Sequence, residues 1–265
     1  MLYVTIMYIK KKISDFQQNR TYFFNTPLDV LSMEEVVNIA EFSMHTKTKI
    51  QQVVINVAKF INMRKDENLR KSVCESDLIN VDGMGILLGL KIFRYPIKER
   101  INGTDLMENL IRLCEDKNFK PFFLGAKQET LEAAITNIKK KHPKINIAGY
   151  HHGYFTQDQE RDVCRYIEDS KADCLFVAIS SPKKEIIMNK LKKNYSIPFV
   201  MGVGGSIDVI AGKVKRAPLW MQKYGLEWFF RLIQEPKRMW KRYLITNVAY
   251  VLFLIKNWKN SRKRI

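Results

Sequence analysis

Three short motifs in this 265-residue chain carry residue types suited to reactions at a phosphate-activated substrate. Asp82 follows an apolar stretch and precedes glycines, and a carboxylate in that position can accept a proton from a hydroxyl. Arg100 follows a glutamate, and its guanidinium matches phosphate oxygens. The Gly-Val-Gly-Gly run at 202–205 could bring backbone N–H groups close to a phosphate or a sugar. Together the motifs predict an enzyme whose substrate has a negatively charged leaving group, such as a nucleotide sugar.

Each motif also has an ordinary structural explanation. Asp82 could be a turn aspartate that bonds its own backbone, and the glycines could serve close packing against a helix. For these two motifs the residues leave both interpretations open. Arg100 taken alone fits a surface ion pair better than a ligand contact. The glycine run is neither a GxGxxG fingerprint nor a Walker loop, so the sequence does not support dinucleotide or ATP binding.

The elements that would position these motifs are strands alternating with helices. Apolar segments of strand length are predicted at 52–56, 77–81, 121–125, 145–148, 174–178 and 199–203, with amphipathic helices between them. Ser32 and Glu35 form a capping-box pattern at the first helix. Nearly continuous apolar strands are typical of a parallel sheet buried on both faces. We therefore predict an α/β protein with a Rossmann-like parallel sheet, helices on both faces and a basic helical C-terminal appendage.

Polar or glycine-containing segments follow all of the predicted strands. In a doubly wound sheet, ligands bind outside the carboxyl ends of the strands. For any single loop, the need of the chain to turn is the better explanation, but all six together favour a ligand crevice. The segments contribute Asn56, Asp82, Gly125, His151 to Tyr154, Ser180 to Glu185 and Gly202 to Asp208.

The positive charge of the chain is concentrated at its C-terminal end. The net charge is +18, and the segment from Lys213 to Ile265 holds fourteen Lys or Arg against two acidic residues. Helices are predicted at 219–233 and 236–258, where aromatic and basic side chains alternate. Such a segment could bind an anionic membrane interface, bind nucleic acid, or pack on the core with a solvated face. The apolar run 243–255 favours lipid, so we expect residues 1–20 to form a leader, 21–212 an α/β core and 213–265 a membrane-associating appendage.

Several other classes of protein or site are disfavoured by the sequence. Four cysteines lie far apart without a CxxC pair, which argues against zinc and for a reducing compartment. His151 and His152 have no second pair at ligand spacing, and no DxD-type acidic pair is present. The apolar stretch 1–9 is short and is followed rather than preceded by lysines, unlike a signal peptide. No segment reaches the ~18–20 apolar residues of a spanning helix. We expect no metal and no cofactor.

In their order along the chain, the motifs resemble those of the WecG/TagA/CpsF glycosyltransferases. The resemblance covers about residues 26–250 and rests on a specific ordered set. The matching residues are Asp82-Gly83, Glu99-Arg100, Gly103-Thr104-Asp105, His152 to Phe155, Ser181 to Glu185, Gly202 to Gly205, Asp208, Ala211-Gly212, Arg216 to Pro218, Glu227-Trp228, Arg231 and Glu235-Pro236.

The resemblance implies a bacterial, inverting, metal-independent enzyme that moves a sugar from a UDP-sugar to a polyprenyl-diphosphate-linked sugar. Such enzymes build capsule, exopolysaccharide or teichoic acid. It implies Asp82 as general base, Arg100 as a contact to the donor or its developing charge, and a C-terminal segment that brings arginines over the site. The substrate-binding residues expected on this basis are Asn56, Gly125, Tyr154, Lys184, Glu185, Gly202, Gly204, Gly205, Asp208, Arg231, Arg238 and Arg242.

The resemblance also implies where the protein works and with what. We expect a cytoplasmic protein, peripheral on the inner face of the cell membrane, whose partners are the UDP-sugar, the lipid-linked acceptor and the anionic membrane surface. Nucleic acid is not expected as a partner, and a homo-oligomer is compatible with the sequence. Two other classes of function remain open from the residues: a non-catalytic nucleotide-sugar-binding membrane scaffold, and a basic nucleic-acid-binding protein.

Two positions depart from the pattern of the family. Many members have Thr two residues before the strand-end Asn, where this chain has Val54. Many also have Gln before the Glu of the Pro-x-x-Glu segment, where this chain has Lys184. A cation in place of an amide would favour an acidic sugar or a phosphate. The donor sugar of this protein therefore cannot be inferred from the donors that other members use.

Overall fold

The computed structural model describes residues 19–262, and its centre is a single sheet of six parallel strands. The strands are β3 (Ile50–Ile55), β4 (Leu78–Val81), β5 (Pro121–Gly125), β6 (Gly149–His151), β7 (Cys174–Ala178) and β8 (Phe199–Gly202). They lie in the order β4-β3-β8-β7-β5-β6, and each neighbouring pair is parallel. An antiparallel hairpin, β1 (Arg20–Phe23) and β2 (Thr26–Asp29), precedes the sheet.

Helices cover both faces of the sheet, so the predicted Rossmann-like α/β fold is confirmed. One face carries α1 (Met33–Thr46), α5 (Gly103–Lys117), α6 (Gln128–Lys141) and α9 (Ser206–Ile210). The other carries α2 (Val57–Asn62), α3 (Glu67–Cys74), α4 (Met84–Ile92), α7 (Gln157–Asp169) and α8 (Lys183–Asn194). Their apolar sides and the strands between them form two buried clusters, one on each face. Burial on both faces explains why the strands have nearly continuous apolar sequences.

Side-chain caps fix where several of these helices begin, and those of α1 and α5 are examples. The Ser32 hydroxyl accepts a hydrogen bond from Glu35 N at 3.3 Å, and the Glu35 carboxylate accepts one from Ser32 N at 2.8 Å. This reciprocal pair is the predicted capping box at α1. At α5, the Asn102 side chain accepts from Thr104 N at 2.9 Å. The α5 cap places the first residue of that helix, Gly103, beside the end of β4.

The C-terminal segment contains three more helices, α10 (Leu219–Lys223), α11 (Glu227–Gln234) and α12 (Pro236–Arg262). The inner side of α12 packs on α2, where the ring centroids of Tyr250 and Phe60 lie 5.4 Å apart. Tyr250 and Leu254 are buried members of the core cluster on that face. This segment therefore shares apolar core with the sheet domain while it extends towards the strand ends.

Two predicted elements were wrong in detail. Residues 145–148 do not form a strand, because the ladder with β5 begins only at Gly149, opposite Phe122. The predicted helix at 219–233 is two helices, because the chain turns at Gly225 with φ +70°. Of the predicted leader at 1–20, residues 1–18 lie outside the described part of the chain, and Arg20 already belongs to β1.

Candidate active site

Asp82 lies immediately beyond the C-terminal end of β4, at one edge of the sheet. Its backbone N–H donates to Ile55 O at 2.9 Å, which continues the parallel pairing of β4 with β3. The following Gly83 has φ +97°, a conformation that suits glycine, and lies beside Asn56 at the end of β3. The structure thus brings two predicted site residues, Asp82 and Asn56, together at neighbouring strand ends. Asn56 also caps α2 by accepting from Lys59 N at 2.9 Å.

The surroundings of Asp82 favour its protonated form. Burial raises the pKa of Asp82 to about 6, and the nearby Glu227 carboxylate adds to the rise. Three interactions oppose this rise and lower the pKa of Asp82: the charges of Arg100 and Lys59, and a hydrogen bond from the Gly103 N–H. A carboxylate with a pKa near neutrality can take a proton and give it up again at physiological pH, as a general base must.

Arg100 is held beside Asp82 by a residue from the C-terminal segment. Its guanidinium forms an ion pair with Glu227 at 2.8 Å, and both side chains are mostly buried. The Asn102 amide donates to the same carboxylate at 3.2 Å. Gly225, just before α11, packs so closely on Met84 that a Cβ there would lie 2.8 Å from the Met84 Cβ. The start of α11 therefore covers the Asp82-Gly83 turn.

A second group of predicted site residues surrounds the glycine turn after β8. A Cβ added at Gly202 would lie 3.1 Å from Lys184 Cε, and one at Gly204 would lie 3.8 Å from Lys184 Nζ. At Gly205 an added Cβ would overlap the guanidinium of Arg231, 2.7 Å from its Nη1. Lys184 and Arg231 thus contact the turn from α8 and α11, and only a glycine backbone lets the two cations approach so closely.

Lys184 belongs to a buried charge cluster with Glu185 and Lys59. The Lys59 ammonium lies 2.8 Å from Glu185 Oε1, and the Lys184 ammonium lies 3.7 Å from the same oxygen. Burial alone would raise the pKa of Glu185, but the two lysine charges and hydrogen bonds from Lys59 and Ser181 lower it to about 2. Burial and repulsion from Lys59 lower the pKa of Lys184 to about 8, against the attraction of Glu185.

Helix α12 adds two more side chains to this region. Burial raises the pKa of Tyr243, and the Asp82 carboxylate adds to the rise, whereas Arg231 and Arg242 oppose it. The Tyr243 ring packs edge-on against Trp228, with centroids 5.7 Å apart. Desolvation, together with Arg231 and Arg238, lowers the pKa of Arg242. Tyr243 is therefore close enough to both groups of site residues for the charges of Asp82, Arg231 and Arg242 to act on its hydroxyl.

Gly125 and Tyr154 lie further along the sheet, towards β6. A Cβ at Gly125 would lie 2.8 Å from Ala178 Cα, so this glycine permits close contact between the ends of β5 and β7. The helices that follow these neighbouring strands, α6 and α8, run on opposite faces, which is the topology at which such sheets bind ligands. Tyr154 is 69% exposed and lies beyond β6.

Asp208 and Arg238 line a polar cavity between α9 and the C-terminal helices α11 and α12. The cavity has a volume of about 360 Å³ and is also lined by Lys213, Val214, Gln234 and Glu235. Arg238 pairs there with Glu235 at 2.8 Å, and Glu235 is also 3.5 Å from Arg231. Of the arginines predicted at the site, Arg231 contacts the glycine turn directly. Arg238 is more exposed and lines the cavity.

Three residues at the site were missed as candidates in the sequence. Lys59 is a single lysine inside the apolar helix α2, and that isolation was a usable signal of a buried charge. Glu227 belongs to the set of motifs that resembles the family, but the resemblance implies no role for it. Tyr243 is one of many aromatic residues in the predicted helix 236–258, and nothing in the sequence sets it apart. The contacts of Glu227 and Tyr243 join segments more than a hundred residues apart, which periodicity does not reveal.

No group of three or more His, Cys, Asp or Glu side chains among residues 19–262 is arranged to hold a metal ion. Over the same residues, no helix combines the length and apolar composition needed to cross a bilayer.

A parallel α/β sheet with a poised aspartate at one strand end and a cation-lined glycine turn nearby is suited to a transferase that uses a phosphate-activated donor. The chain matches the model of the glycosyl transferase WecG/TagA/CpsF family over residues 21–264, and it belongs to this family. The protein is therefore a glycosyltransferase, as its motifs indicated.

The chain is similar to two relatives that are each named N-acetylglucosaminyldiphosphoundecaprenol N-acetyl-beta-D-mannosaminyltransferase. The one from Bacillus subtilis strain 168 is 34% identical over 198 residues, covering 75% of this chain and 76% of the relative. The one from Bacillus spizizenii strain ATCC 23059 / NRRL B-14472 / W23 is 36% identical over 188 residues, covering 71% and 72%.

Proposed function

We propose that this glycosyltransferase moves a sugar from a UDP-sugar to a polyprenyl-diphosphate-linked sugar during synthesis of a bacterial cell-surface polysaccharide. The reaction inverts the anomeric centre and needs no metal ion. The observation that carries the proposal is the placement of Asp82, with its raised pKa, near a glycine turn lined by Lys184 and Arg231. A base and an anion-binding turn at the same edge of the sheet are the two parts that a single displacement requires.

The order of the strands suggests how the donor lies across the sheet. Neighbouring strands are about 4.8 Å apart, so the glycine turn of β8 is ~10 Å from the Asp82 end of β4, and the Gly125 end of β5 is ~19 Å from it. A nucleotide sugar has the same linear order of sugar, diphosphate and nucleoside. We place the sugar beside Asp82, the diphosphate at the turn, and the nucleoside in the crevice at Gly125.

Asp82 and the cations act on opposite sides of the reacting carbon. Asp82 takes the proton from the acceptor hydroxyl, and the oxygen forms a bond to the anomeric carbon. The bond from that carbon to the diphosphate oxygen breaks, and its electron pair leaves with UDP. We assign the stabilisation of the negative charge on the leaving group to Arg231, which approaches the glycine turn, and to Arg242, whose charge interacts with that of Arg231. Arg100, which is paired with Glu227, limits how far the pKa of Asp82 rises.

The names of the relatives support this choice of reaction. They specify a lipid diphosphate acceptor and a β-linked product. A donor with an α-linked leaving group gives a β-linked product by one displacement. Metal independence is supported by the cations at the turn, because arginine and lysine can supply the positive charge that a metal ion provides elsewhere.

Association with the inner face of the membrane is supported by the outer surface of the C-terminal helices. Large apolar side chains are exposed there, with Trp220 at 58%, Trp240 at 54% and Leu252 at 61%. Basic residues of the same helices, including Lys237 and Lys241, lie among them. Aromatic and apolar side chains that alternate with lysines are typical of helices lying in an anionic membrane interface. Residues 213–265 would then hold the site close to a lipid-linked acceptor.

The first test is donor- and acceptor-dependent release of UDP. The purified protein is incubated with a panel of UDP-sugars and a soluble polyprenyl-diphosphate-sugar analogue, with and without EDTA. We expect release that needs the acceptor and survives EDTA, and NMR of the product should show the inverted anomer. Release that is abolished by EDTA and restored by a divalent cation would contradict metal independence. A retained anomeric configuration would contradict the single displacement.

A further inference from the structure

The buried cluster of Lys59, Glu185 and Lys184 carries an uncompensated positive charge. Their side chains are 5%, 0% and 8% exposed, so water screens them little. Two ammonium groups share one carboxylate, which leaves a net charge of +1 below the strand ends. A buried charge without a partner is costly, and proteins keep such charges mainly where a ligand or a reaction uses them.

The two lysines do not share the carboxylate equally. Lys59 is in direct contact with Glu185 Oε1 at 2.8 Å, whereas Lys184 is 3.7 Å away, beyond a normal hydrogen bond. Glu185 therefore neutralises Lys59 more fully than Lys184. The surplus charge belongs chiefly to the Lys184 ammonium.

The Lys184 ammonium is directed towards the glycine turn. Its Cε lies 3.1 Å from the Cβ position of Gly202, and its Nζ lies 3.8 Å from that of Gly204. Because both residues are glycines, no side chain stands between the ammonium and the space above the turn. Arg231 approaches the same turn at Gly205 from the other side. A ligand group at this point would meet two cations.

We infer that Lys184 binds an anionic group of the sugar donor, either a diphosphate oxygen or a carboxylate on the sugar, while Lys59 and Glu185 hold its ammonium at the turn. The inference rests on the proposed function in so far as it names the donor. Binding of the anion completes the charge balance of the cluster. The depressed pKa of Lys184, about 8, agrees with an ammonium that lacks a full partner in the free protein.

A role in binding and a role in folding predict opposite effects of the same substitution. If Lys184 serves the ligand, Lys184→Gln removes a buried, unbalanced charge, so the free protein should be equally or more stable. If Lys184 instead holds Glu185 in place, the same substitution should destabilise the free protein and leave ligand affinity unchanged. Lys183→Gln is the matched control, because the neighbouring Lys183 is exposed and packs on the Phe155 ring, with Nζ 4.6 Å from the ring centroid.

The experiment compares wild type, Lys184→Gln and Lys183→Gln by calorimetric titration and thermal unfolding. The probes are UDP, inorganic pyrophosphate, and the pair UDP-glucuronate and UDP-glucose, which differ by one carboxylate. We expect Lys184→Gln to lower anion affinity by about tenfold to a hundredfold with no loss of melting temperature. Lys183→Gln should change affinity by less than about twofold.

The pattern across the probes identifies the source of the anion. Weaker binding of UDP and pyrophosphate assigns Lys184 to the diphosphate. Unchanged UDP binding, with loss of a wild-type preference for UDP-glucuronate over UDP-glucose, assigns it to a sugar carboxylate. Unchanged affinity for every probe, equal effects in Lys183→Gln, or a Lys184→Gln protein that fails to fold would overturn the inference.

Failure of the proposed donor is a separate result. If wild type binds pyrophosphate through Lys184 but binds no UDP compound, the UDP donor is wrong and the anion site stands. If wild type binds UDP with an affinity that Lys184→Gln does not change, and shows no Lys184-dependent preference for the carboxylate-bearing sugar, the UDP donor stands and the anion site is wrong.

Discussion

The two charged regions of the site are unbalanced in opposite directions. At the end of β4, the two carboxylates of Asp82 and Glu227 lie with one guanidinium, that of Arg100, and the Lys59 charge reaches Asp82 from the second region. At the ends of β7 and β8, one carboxylate faces two buried lysines, with Arg231 at the same turn. In the first region burial raises the pKa of Asp82 and the Glu227 carboxylate adds to the rise, whereas in the second burial lowers the pKa of Lys184 and the Lys59 charge adds to the fall.

This difference separates the two tasks of a transfer reaction along one sheet. A surplus of negative charge makes a carboxylate a stronger base towards a hydroxyl, and a surplus of positive charge stabilises a departing anion. The charge imbalance of each region destabilises the free protein. It is relieved when the acceptor hydroxyl gives a proton to the first region, or when an anionic group of the donor binds to the second. The two regions can be tested separately by substitution, and the largest effect is expected at Asp82.

Removal of the Asp82 charge should abolish chemistry without affecting the anion region. We expect Asp82→Asn to lower kcat by about 10³-fold, because an amide cannot take the proton of the acceptor. UDP affinity, measured by calorimetry, should stay within about twofold of wild type, because the glycine turn lies two strands away.

The control for this substitution is Asp77→Asn, just before the other end of β4, where Asp77 pairs with Lys192. This substitution makes the same change of charge at the N-terminal end of β4, away from the site, so kcat should be nearly normal. Near-normal turnover of Asp82→Asn would remove Asp82 from the role of base.

Substitution of Arg231 should affect the anion region with an intermediate effect. Arg231→Gln removes the guanidinium that packs on Gly205, so both UDP affinity and kcat should fall by about tenfold to a hundredfold. The pH dependence set by Asp82 should keep its position. Arg165→Gln, an exposed arginine on α7, is the control and should behave as wild type. Equal kinetics of the two variants would mean that Arg231 does not contact the donor.

The opposite charge surpluses should also appear as opposite pH windows of stability. The pKa of Asp82 is raised from its ordinary 3.8 to about 6, so its ionised form costs stability that is absent below pH 3.8 and complete above pH 6. Asp82→Asn should therefore gain stability relative to wild type as the pH rises through that window, and the full gain should be present above it. The pKa of Lys184 is lowered from 10.5 to about 8, so Lys184→Gln should be the more stable protein below pH 8 and lose its advantage towards pH 10.5.

Each stability gain is bounded at about 3 kcal/mol by the shift in pKa, and we expect about 1–2 kcal/mol after relaxation around the charge. Urea unfolding at pH 4.5, 7 and 9 measures it. A gain for Asp82→Asn that grows as the pH falls, or for Lys184→Gln that grows as the pH rises, would reverse the sign of the corresponding charge surplus.

The architecture of the sheet could be predicted because it depends on local patterns. Buried strands of four to six residues appear in the sequence as short apolar segments. Ser32 and Glu35 mark the start of a helix because the two residues that bond each other are only three positions apart. The strand ends then bring residues such as Asn56 and Asp82 together without further information. The strand at 145–148 was wrong because Ile145 is apolar and buried although its backbone does not reach the ladder with β5.

The charge balance of the site could not be predicted, because it depends on which distant side chains meet. Asp82 and Arg100 can be identified in the sequence as candidate site residues. The ion pair of Arg100 with Glu227 cannot, because the two residues are 127 positions apart in the chain. Lys184 was noticed as a departure from the family pattern, yet its neighbour Lys59 lies on another helix. Sequence motifs identify which groups are present, whereas the packing of α2, α8 and α11 decides which charge is left over.

The smallest expected effect tests that distant pair directly. Glu227→Gln removes one of the two carboxylates beside Asp82 and releases Arg100 from its ion pair, and both changes favour ionised Asp82. The acid limb of kcat/KM, expected near pH 6, should therefore move to lower pH by about half a unit to one unit. Glu99→Gln is the control, because exposed Glu99 accepts from Met33 N at 2.7 Å and is not among the groups that shift Asp82. An acid limb that stays in place or moves to higher pH would mean that Glu227 does not raise the pKa of Asp82 and does not contribute to the negative surplus.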